Sequence, residues 1–195
     1  MATSDVAQLE VFDEPAAPQP GRVLANPTQL GAPLVLLVRK DSGPWLEVSL
    51  PVRPNGTTGW VRRSDVSLSY DPYHVDVHLT DHQIVVSKGS DVVLDAPIGV
   101  GTCDTPTPGG AFFLDVLMKP PSPGGPYGDY AYGLSGFSDA LTTFEGGPAI
   151  IGIHGTNDPA SVGQDESHGC IRMNNQDIDK LVPFLPLGTP VSIDH

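Results

Sequence analysis

The sequence predicts a mainly β protein built from two units, with one short helix near the C-terminus. Glycine (22) and proline (21) together exceed a fifth of the 195 residues, and they alternate with short Val, Ile and Leu runs instead of forming low-complexity tracts. Apolar residues recur with a period of two between turn signals, which is the pattern of half-buried strands. We expect a flexible tail over residues 1–6, a small β unit over 7–70 and a second β-rich unit over 71–195.

The first unit is predicted to form a small β-barrel. The pair Asn55-Gly56 suits a tight turn with positive φ, because glycine has no Cβ to oppose that conformation. The Gly-Trp-Val strand at 59–61 is common in bacterial SH3-like domains, and the unit resembles such a domain. Trp45 and Trp60 are expected to pack in the core or between the units, not to bind a ligand. The predicted strands of this unit cover 34–38, 45–50 and 59–61.

The second unit is predicted to open with an antiparallel meander, after a boundary at Asp71-Pro72-Tyr73. Short alternating runs at 75–79, 83–87 and 92–94 are joined by tight turns, so neighbouring runs pair with each other. The segment 120–136 is rich in Gly, Pro and Tyr and lacks periodicity. At this length, such a connection is expected to be a lid over a functional site.

The end of the second unit carries the clearest local signals. The apolar run 149–153 predicts a buried strand that presents His154 at its end. An asparagine at 174 or 175 can cap a helix over 177–182, which Pro183 and Pro186 would end.

Charge and hydropathy restrict the partners and the compartment. Ten basic against 23 acidic residues give a net charge of −13, which repels a phosphate backbone and argues against nucleic acid as a partner. No run of about 18 apolar residues predicts a transmembrane segment, and residues 1–10 lack the basic and apolar regions of an export signal. Two interpretations stay open: a cytoplasmic protein, or one whose signal or lipid-anchored segment has been removed.

Cys170 has the surroundings of a reactive thiol. Ser167, His168 and Gly169 precede it and Arg172 follows, which is an electropositive, hydrogen-bonding setting. A cysteine attacks a carbonyl as its thiolate, and an imidazole can take the proton, so the pattern indicates acyl transfer. Both His154 and His168 are candidates for that imidazole. Gly169 predicts a tight turn where backbone amides can approach an oxyanion.

Cysteine pairing and metal binding are the competing interpretations. A disulfide between Cys103 and Cys170 would consume the thiol, so both are expected to be free, with Cys103 as a small buried hydrophobe. One cysteine with two histidines lacks the ligand density of a structural zinc site. His74, His78 and His82 recur every four residues, but in a strand-and-turn segment they are expected to face solvent.

The order of these residues resembles the catalytic domain of the L,D-transpeptidases of the YkuD type. That family has a histidine, a loop, and then Ser/Thr-His-Gly-Cys. Here His154 precedes His168 by 14 positions and Cys170 by 16. The resemblance covers about 74–194 and includes the segments 104–113, 151–157 and 173–177. A papain-like peptidase is disfavoured, because there the cysteine precedes its histidine.

The resemblance implies roles for individual residues. Cys170 would be the nucleophile and His154 the base that forms a thiolate–imidazolium pair with it, with the Gly155 carbonyl orienting the imidazole. Amides around Gly169 and Cys170 would bind the oxyanion. Some members have Asn where this chain has Arg172, which could hold a substrate carboxylate. Ser167 and His168 match the positions that shape the turn. Asn157 is a further predicted substrate contact, and Tyr127, Tyr130 and Tyr132 are expected either to contact substrate from the lid or only to pack their own loop.

The resemblance also implies an activity. The expected function is 3→3 cross-linking of peptidoglycan stem peptides through a cysteine thioester, with release of the terminal D-Ala, no cofactor and no metal. Carbapenem β-lactams would be covalent inhibitors, and the need for peptidoglycan favours an extracytoplasmic location at the cell wall or envelope. The alternatives are an L,D-carboxypeptidase that uses the same site, or a non-catalytic wall-binding module.

Overall fold

The N-terminal region consists of short strands in three small sheets. The computed structural model describes residues 1–122 and 124–194, and its first eight strands lie before residue 69. They pair in the orders β4-β1-β8, β2-β3 and β5-β6-β7. The bounds are β1 (Ala2–Ser4), β2 (Gln8–Val11), β3 (Arg22–Ala25), β4 (Val35–Leu36), β5 (Val38–Ser42), β6 (Trp45–Ser49), β7 (Thr58–Arg62), a 3-10 turn (Arg63–Asp65) and β8 (Val66–Leu68).

The prediction of a flexible tail over residues 1–6 is wrong. Strand β1 lies between β4 and β8, where Ala2 pairs with both Leu36 and Leu68. Ala2 is fully buried. Three residues are too few to show a period-two pattern, so the strand has no signature in the sequence.

The N-terminal region has its own hydrophobic cluster, which takes one large side chain from the second unit. Leu9, Leu46 and Val61 are fully buried in it together with Phe113, which belongs to a strand of the second unit. Trp45 lies half-buried outside this cluster and packs edge-on against Phe12, with ring centroids 5.1 Å apart. The SH3-like assignment and the boundary at residue 71 stay predictions.

The second region forms one nine-stranded sheet. Its order is β10-β9-β19-β12-β13-β16-β18-β11-β17, and a further pairing of β10 with β11 closes the first eight of these strands into a ring. The strands are β9 (Tyr73–His78), β10 (Gln83–Lys88), β11 (Asp91–Gly101), β12 (Gly110–Met118), β13 (Ala131–Phe137), β14 (Thr143–Phe144), β15 (Gly147–Pro148), β16 (Ile150–His154), β17 (Asp165–Ser167), β18 (Ile171–Met173) and β19 (Pro190–Asp194), with a 3-10 turn (Pro159–Ser161) and the helix α1 (Asn175–Leu181). Strands β14 and β15 form a separate hairpin.

Several local predictions are confirmed. Strands β9, β10 and β11 pair antiparallel as the predicted meander, and β16 ends at His154. Helix α1 follows the Asn174 N-cap, although no side-chain capping bond forms, and it ends before Pro183. Within the described residues, no helix combines the length and apolar character needed to cross a bilayer.

The predicted lid over 120–136 is too long. Its last six residues belong to β13, which is buried and pairs with β12 and β16 on either side. Glycine and serine interrupt the apolar run in β13, so the strand reads as a loop. A strand covered on both faces need not alternate between polar and apolar residues.

Asp115 is a buried carboxyl group in the bulge of β12, and it makes the stability of the protein depend on pH. Burial raises its pKa from 3.8 to about 6, and one of its oxygens has no hydrogen-bond partner in the described part of the chain. The folded state therefore binds this proton more tightly than the unfolded state, so stability is lost as the pH rises from about 4 to 6.

We expect Asp115→Asn to raise the free energy of unfolding by about 2 kcal/mol at pH 8 and to change it little at pH 4. Urea unfolding at pH 4, 5, 6 and 8 measures the difference, and Asp104→Asn on an exposed loop is the matched control. Equal wild-type and Asp115→Asn stabilities at pH 8 would contradict the assignment.

Candidate active site

Parallel pairing of β16 with β18 brings Cys170 beside His154. Ile153 pairs with Ile171, and His154 pairs with Arg172. Cys170 directly precedes β18, so the same register places it level with Gly152, two residues before His154. Residues two apart on a strand share a face, so the imidazole and the thiol lie on the same side of the sheet.

Gly152 provides the space between these two groups. A Cβ built on Gly152 would lie 4.0 Å from Cys170 Sγ and 4.0 Å from His154 Cδ2. A hydrogen bond from the Gly152 backbone also lowers the pKa of the thiol. The sequence does not predict that Gly152 belongs to the site, because a single glycine inside an apolar strand is compatible with many roles.

The Cys170 turn depends on a serine hydroxyl. Ser167 Oγ donates to the Cys170 carbonyl at 2.6 Å and accepts the Gly169 N–H at 3.0 Å. Gly169 has φ +109°, and a Cβ there would lie 3.1 Å from Ile151 Cδ1. The Gly169 N–H thus already has an acceptor within the turn, which argues against its predicted bond to the oxyanion. Of the two predicted donors, the Cys170 N–H remains.

His154 is buried and oriented by its neighbour. Its Nδ1 lies 2.5 Å from the Gly155 carbonyl oxygen, which can only accept, so Nδ1 carries the proton and Nε2 is a free base. The pKa of His154 is lowered from 6.5 to about 4, mainly by burial and to a smaller extent by the positive charge of Arg172, while the bond to the Gly155 carbonyl acts in the opposite direction.

Both pKa shifts oppose a pre-formed ion pair. Burial raises the pKa of Cys170 above 9.0, although the Gly152 bond and the Arg172 charge act against that shift. A low imidazole pKa and a high thiol pKa both favour the neutral forms. The resting thiolate–imidazolium pair that the resemblance implies stays a prediction, and both shifts act against it.

A cavity of about 210 Å³ opens onto this pair. Tyr127 lies over it, with its ring centroid 5.0 Å from that of His154, and its hydroxyl donates to Glu145 Oε2 at 2.9 Å. That bond and burial raise the pKa of Tyr127 to about 12. The cavity is lined by Pro126, Tyr127, Ser138, Leu141, Phe144, Glu145, Ala149, Ile150, Ile151, His154, Ser167, His168, Cys170 and Arg172.

Of the other predicted substrate-binding residues, Arg172 lines this cavity, whereas Tyr130, Tyr132 and Asn157 do not. Tyr132 is fully buried, and its hydroxyl donates to the Leu185 carbonyl at 3.1 Å, which corrects its predicted contact with substrate. Tyr130 packs on the core under Lys119, and Asn157 is exposed. Neither of them lines the cavity. His168 is exposed, with its ring 5.4 Å from that of Phe144.

The β14–β15 hairpin forms part of the cavity wall, which the sequence did not predict. The only segment expected over the site was the lid at 120–136. Its turn residues Glu145 and Gly146 have φ of +49° and +82°, as a tight hairpin turn requires. Among the described residues of the predicted lid over 120–136, only Pro126 and Tyr127 line the cavity.

Asn175, which is remote in sequence, holds the loop after His154. Asn175 Oδ1 accepts the Thr156 N–H at 2.9 Å and sits against Gly128 and Gly155. In the sequence, Asn175 shows only the pattern of a possible helix cap, which does not predict this contact.

Cysteine and histidine elsewhere are arranged differently. Both cysteines are free, as predicted, but Cys103 is exposed and not buried. His74, His78 and His82 each lie beside a single aspartate, namely Asp76, Asp194 and Asp165. The described residues contain no group of three or more side chains suited to hold a metal ion.

The structure thus places a thiol and an imidazole side by side at the strand ends of a closed β-sheet. A family model described as the YkuD L,D-transpeptidase catalytic domain matches residues 72–193. The chain therefore belongs to the YkuD family of L,D-transpeptidase catalytic domains.

Individual relatives agree with this family. The Putative L,D-transpeptidase YkuD of Bacillus subtilis is 38% identical over 124 residues, which are 64% of this chain and 67% of that protein. The Putative L,D-transpeptidase YqjB of the same organism is 35% identical over 133 residues, covering 63% and 71%. The solved structure of LD transpeptidase LdtMt1 in complex with imipenem superposes with a TM-score of 0.50 at 16% identity, covering 83% of this chain and 99% of that one.

Proposed function

We propose that the protein is a peptidoglycan L,D-transpeptidase that forms 3→3 cross-links through a thioester on Cys170. The single observation that carries the proposal is the placement of Cys170 and His154 on either side of Gly152, at the floor of a cavity large enough for part of a stem peptide. Family membership supports the reaction class. The chain spans only about two thirds of the length of the curated relatives cited above.

In the first step, Cys170 Sγ attacks the carbonyl of the third residue of a tetrapeptide donor stem. His154 Nε2 takes the thiol proton as the S–C bond forms, so a neutral pair suffices as the starting state. The Cys170 N–H donates to the oxyanion. When the C–N bond breaks, His154 returns the proton to the amine of the departing D-Ala, and Arg172 holds its carboxylate.

In the second step, the amine of a neighbouring stem attacks the thioester. His154 takes the proton of that amine and delivers it to the departing sulfur, which restores the free thiol. Water in place of the amine would give the L,D-carboxypeptidase reaction. Because the reaction needs peptidoglycan, the proposed location is the cell wall or envelope.

The test is to incubate the protein with a purified disaccharide-tetrapeptide and analyse the products by mass spectrometry. We expect a dimer cross-linked between third residues together with free D-Ala, and neither product from Cys170→Ala. Tripeptide without dimer would identify the carboxypeptidase instead.

A carbapenem provides an independent check of the nucleophile. Intact-mass analysis should show one acyl adduct on the wild type and none on Cys170→Ala, while Cys103→Ala should still acquire it. An adduct that follows Cys103, or no adduct on the wild type, would contradict the proposal.

A further inference from the structure

One wall of the cavity is held by residues of the N-terminal region. The segment 137–141 connects β13 to the β14–β15 hairpin, and its Ser138 and Leu141 line the cavity with Cys170 and His154. Arg53 and Asn55 lie in the turn between β6 and β7, outside the residues 72–193 that match the family model.

Arg53 bridges two carbonyl groups of the wall. Its Nη1 donates to the Ser138 carbonyl at 2.8 Å, and its Nη2 donates to the Leu141 carbonyl at 2.8 Å. The guanidinium also lies over the Phe137 ring, 4.9 Å from its centroid. A planar fork with two parallel donors fixes the distance between the carbonyls that it joins.

Asn55 pairs with the backbone of the wall as a neighbouring strand would. Its Nδ2 donates to the Phe137 carbonyl at 2.8 Å, and its Oδ1 accepts the Phe137 N–H at 2.9 Å. A further bond runs from Nδ2 to Asp139 Oδ1 at 3.2 Å. The amide thus satisfies both backbone groups of the residue at which β13 ends.

The opposite side of the same segment meets the site. The Ser138 N–H donates to the Ala149 carbonyl at 2.8 Å, and Ala149 itself lines the cavity. Ser138 Oγ accepts the Ala140 and Leu141 amides at 3.3 and 3.0 Å. The segment is therefore a thin layer, with the N-terminal region on one face and the cavity on the other.

These contacts are additional to those that fold the N-terminal region. Arg53 is exposed, and neither Arg53 nor Asn55 belongs to the hydrophobic cluster of that region. The turn is closed by its own bonds, in which Leu50 N–H donates to the Thr57 carbonyl and Thr57 N–H to the Pro54 carbonyl. The side-chain bonds of Arg53 and Asn55 all go to the cavity wall.

We infer that Arg53 and Asn55 are positioning residues for the acyl donor: they fix the 137–141 wall of the cavity, so that the N-terminal region sets the affinity for the donor stem without touching Cys170. The inference rests on the proposed function. In this proposal the wall contacts the bound donor but takes no part in the reaction of the thiol and the imidazole. Loosening the wall would therefore weaken the binding of the donor and leave the chemical step unchanged.

The test compares Arg53→Gln, Asn55→Ala and the double variant with Arg39→Gln, which removes the charge of an exposed arginine on β5. Carbapenem acylation at increasing concentration separates the apparent dissociation constant from the limiting rate constant. We expect the dissociation constant of the double variant to rise about tenfold, with the limiting rate constant within about twofold of wild type. Arg53→Lys, which keeps the charge but replaces the planar fork with a single ammonium group, should fall between.

Two further measurements separate positioning from a general loss of structure. Alkylation of Cys170 by iodoacetamide, which is too small to need the wall, should proceed at the wild-type rate in every variant. Amide hydrogen exchange within 137–142 should accelerate in the double variant but not in Arg39→Gln.

An unchanged dissociation constant in the double variant would overturn the inference, as would a slower alkylation of Cys170. If the wild type itself takes no acyl group, the proposed function is what fails. In that case hydrogen exchange alone tests whether Arg53 and Asn55 fix the wall. Equal exchange within 137–142 in the wild type and the double variant would then overturn the inference.

Discussion

His154→Gln is expected to reduce the rate constant of carbapenem acylation by roughly 10² to 10⁴-fold, because a positioned general base contributes about that much. Glutamine keeps a polar side chain at the end of β16 but cannot take the thiol proton. Stopped-flow acylation, or mass spectrometry at timed intervals, measures the loss. His78→Gln is the matched control, since that histidine lies on β9 and does not line the cavity.

The pH dependence of the acylation rate tests whether His154 is the base. Burial lowers its pKa to about 4, so the imidazole is neutral and competent above that pH and protonated below it. Wild-type acylation should therefore fall only as the pH drops through about 4, and the residual rate of His154→Gln should lack this acid limb. An acid limb near 6.5 would show a solvent-exposed imidazole in this role.

Alkylation by iodoacetamide tests whether the resting pair is neutral. A pre-formed thiolate would react at a constant rate between pH 5 and 8, whereas a thiol with a raised pKa reacts faster as the pH rises. We expect the second result, since burial raises the pKa of Cys170. A flat profile would contradict the neutral pair.

Features with a local cause were predictable from the sequence. The apolar run before His154, the glycine at the Cys170 turn and the prolines after helix α1 each act within a few residues of their own position. The pairing of Cys170 with His154 was predictable because the order and spacing of the motif are specific. The roles of Arg172 and Tyr127 stay predictions that the cavity supports.

Features created by long-range packing were not predictable. Gly152, Asn175 and Arg53 contact the site through residues between 18 and 88 positions away, and one sequence carries no record of such pairs. Tyr132 was misassigned for a related reason: its strand is buried on both sides, so its glycines and serine looked like a loop. Strands β1, β2, β3 and β8 have only three or four residues each, which is too short to show a reliable period.

Gly155→Ala is expected to have the second large effect, because its Cβ has no space. A Cβ there would overlap Asn175 Oδ1 and lie 3.2 Å from Gly128 Cα, so the Asn175 side chain, which holds the Thr156 amide, or the backbone at 155 must shift. The Gly155 carbonyl accepts the His154 Nδ1–H, and its displacement would turn the imidazole away from the thiol. Misplacement of a catalytic group by about 1 Å can cost around 10²-fold in rate, which is the loss we expect in carbapenem acylation.

Gly147→Ala in the β14–β15 hairpin is the matched control for this substitution. It adds the same methyl group close to the cavity, but the nearest atom is the Phe144 carbonyl oxygen at 3.8 Å, so acylation should stay within about twofold of wild type. Adding Asn175→Ala to Gly155→Ala removes the overlapping oxygen and should recover part of the rate, although the Thr156 amide then loses its acceptor. Wild-type acylation by Gly155→Ala alone would show that the Gly155 carbonyl does not orient the base.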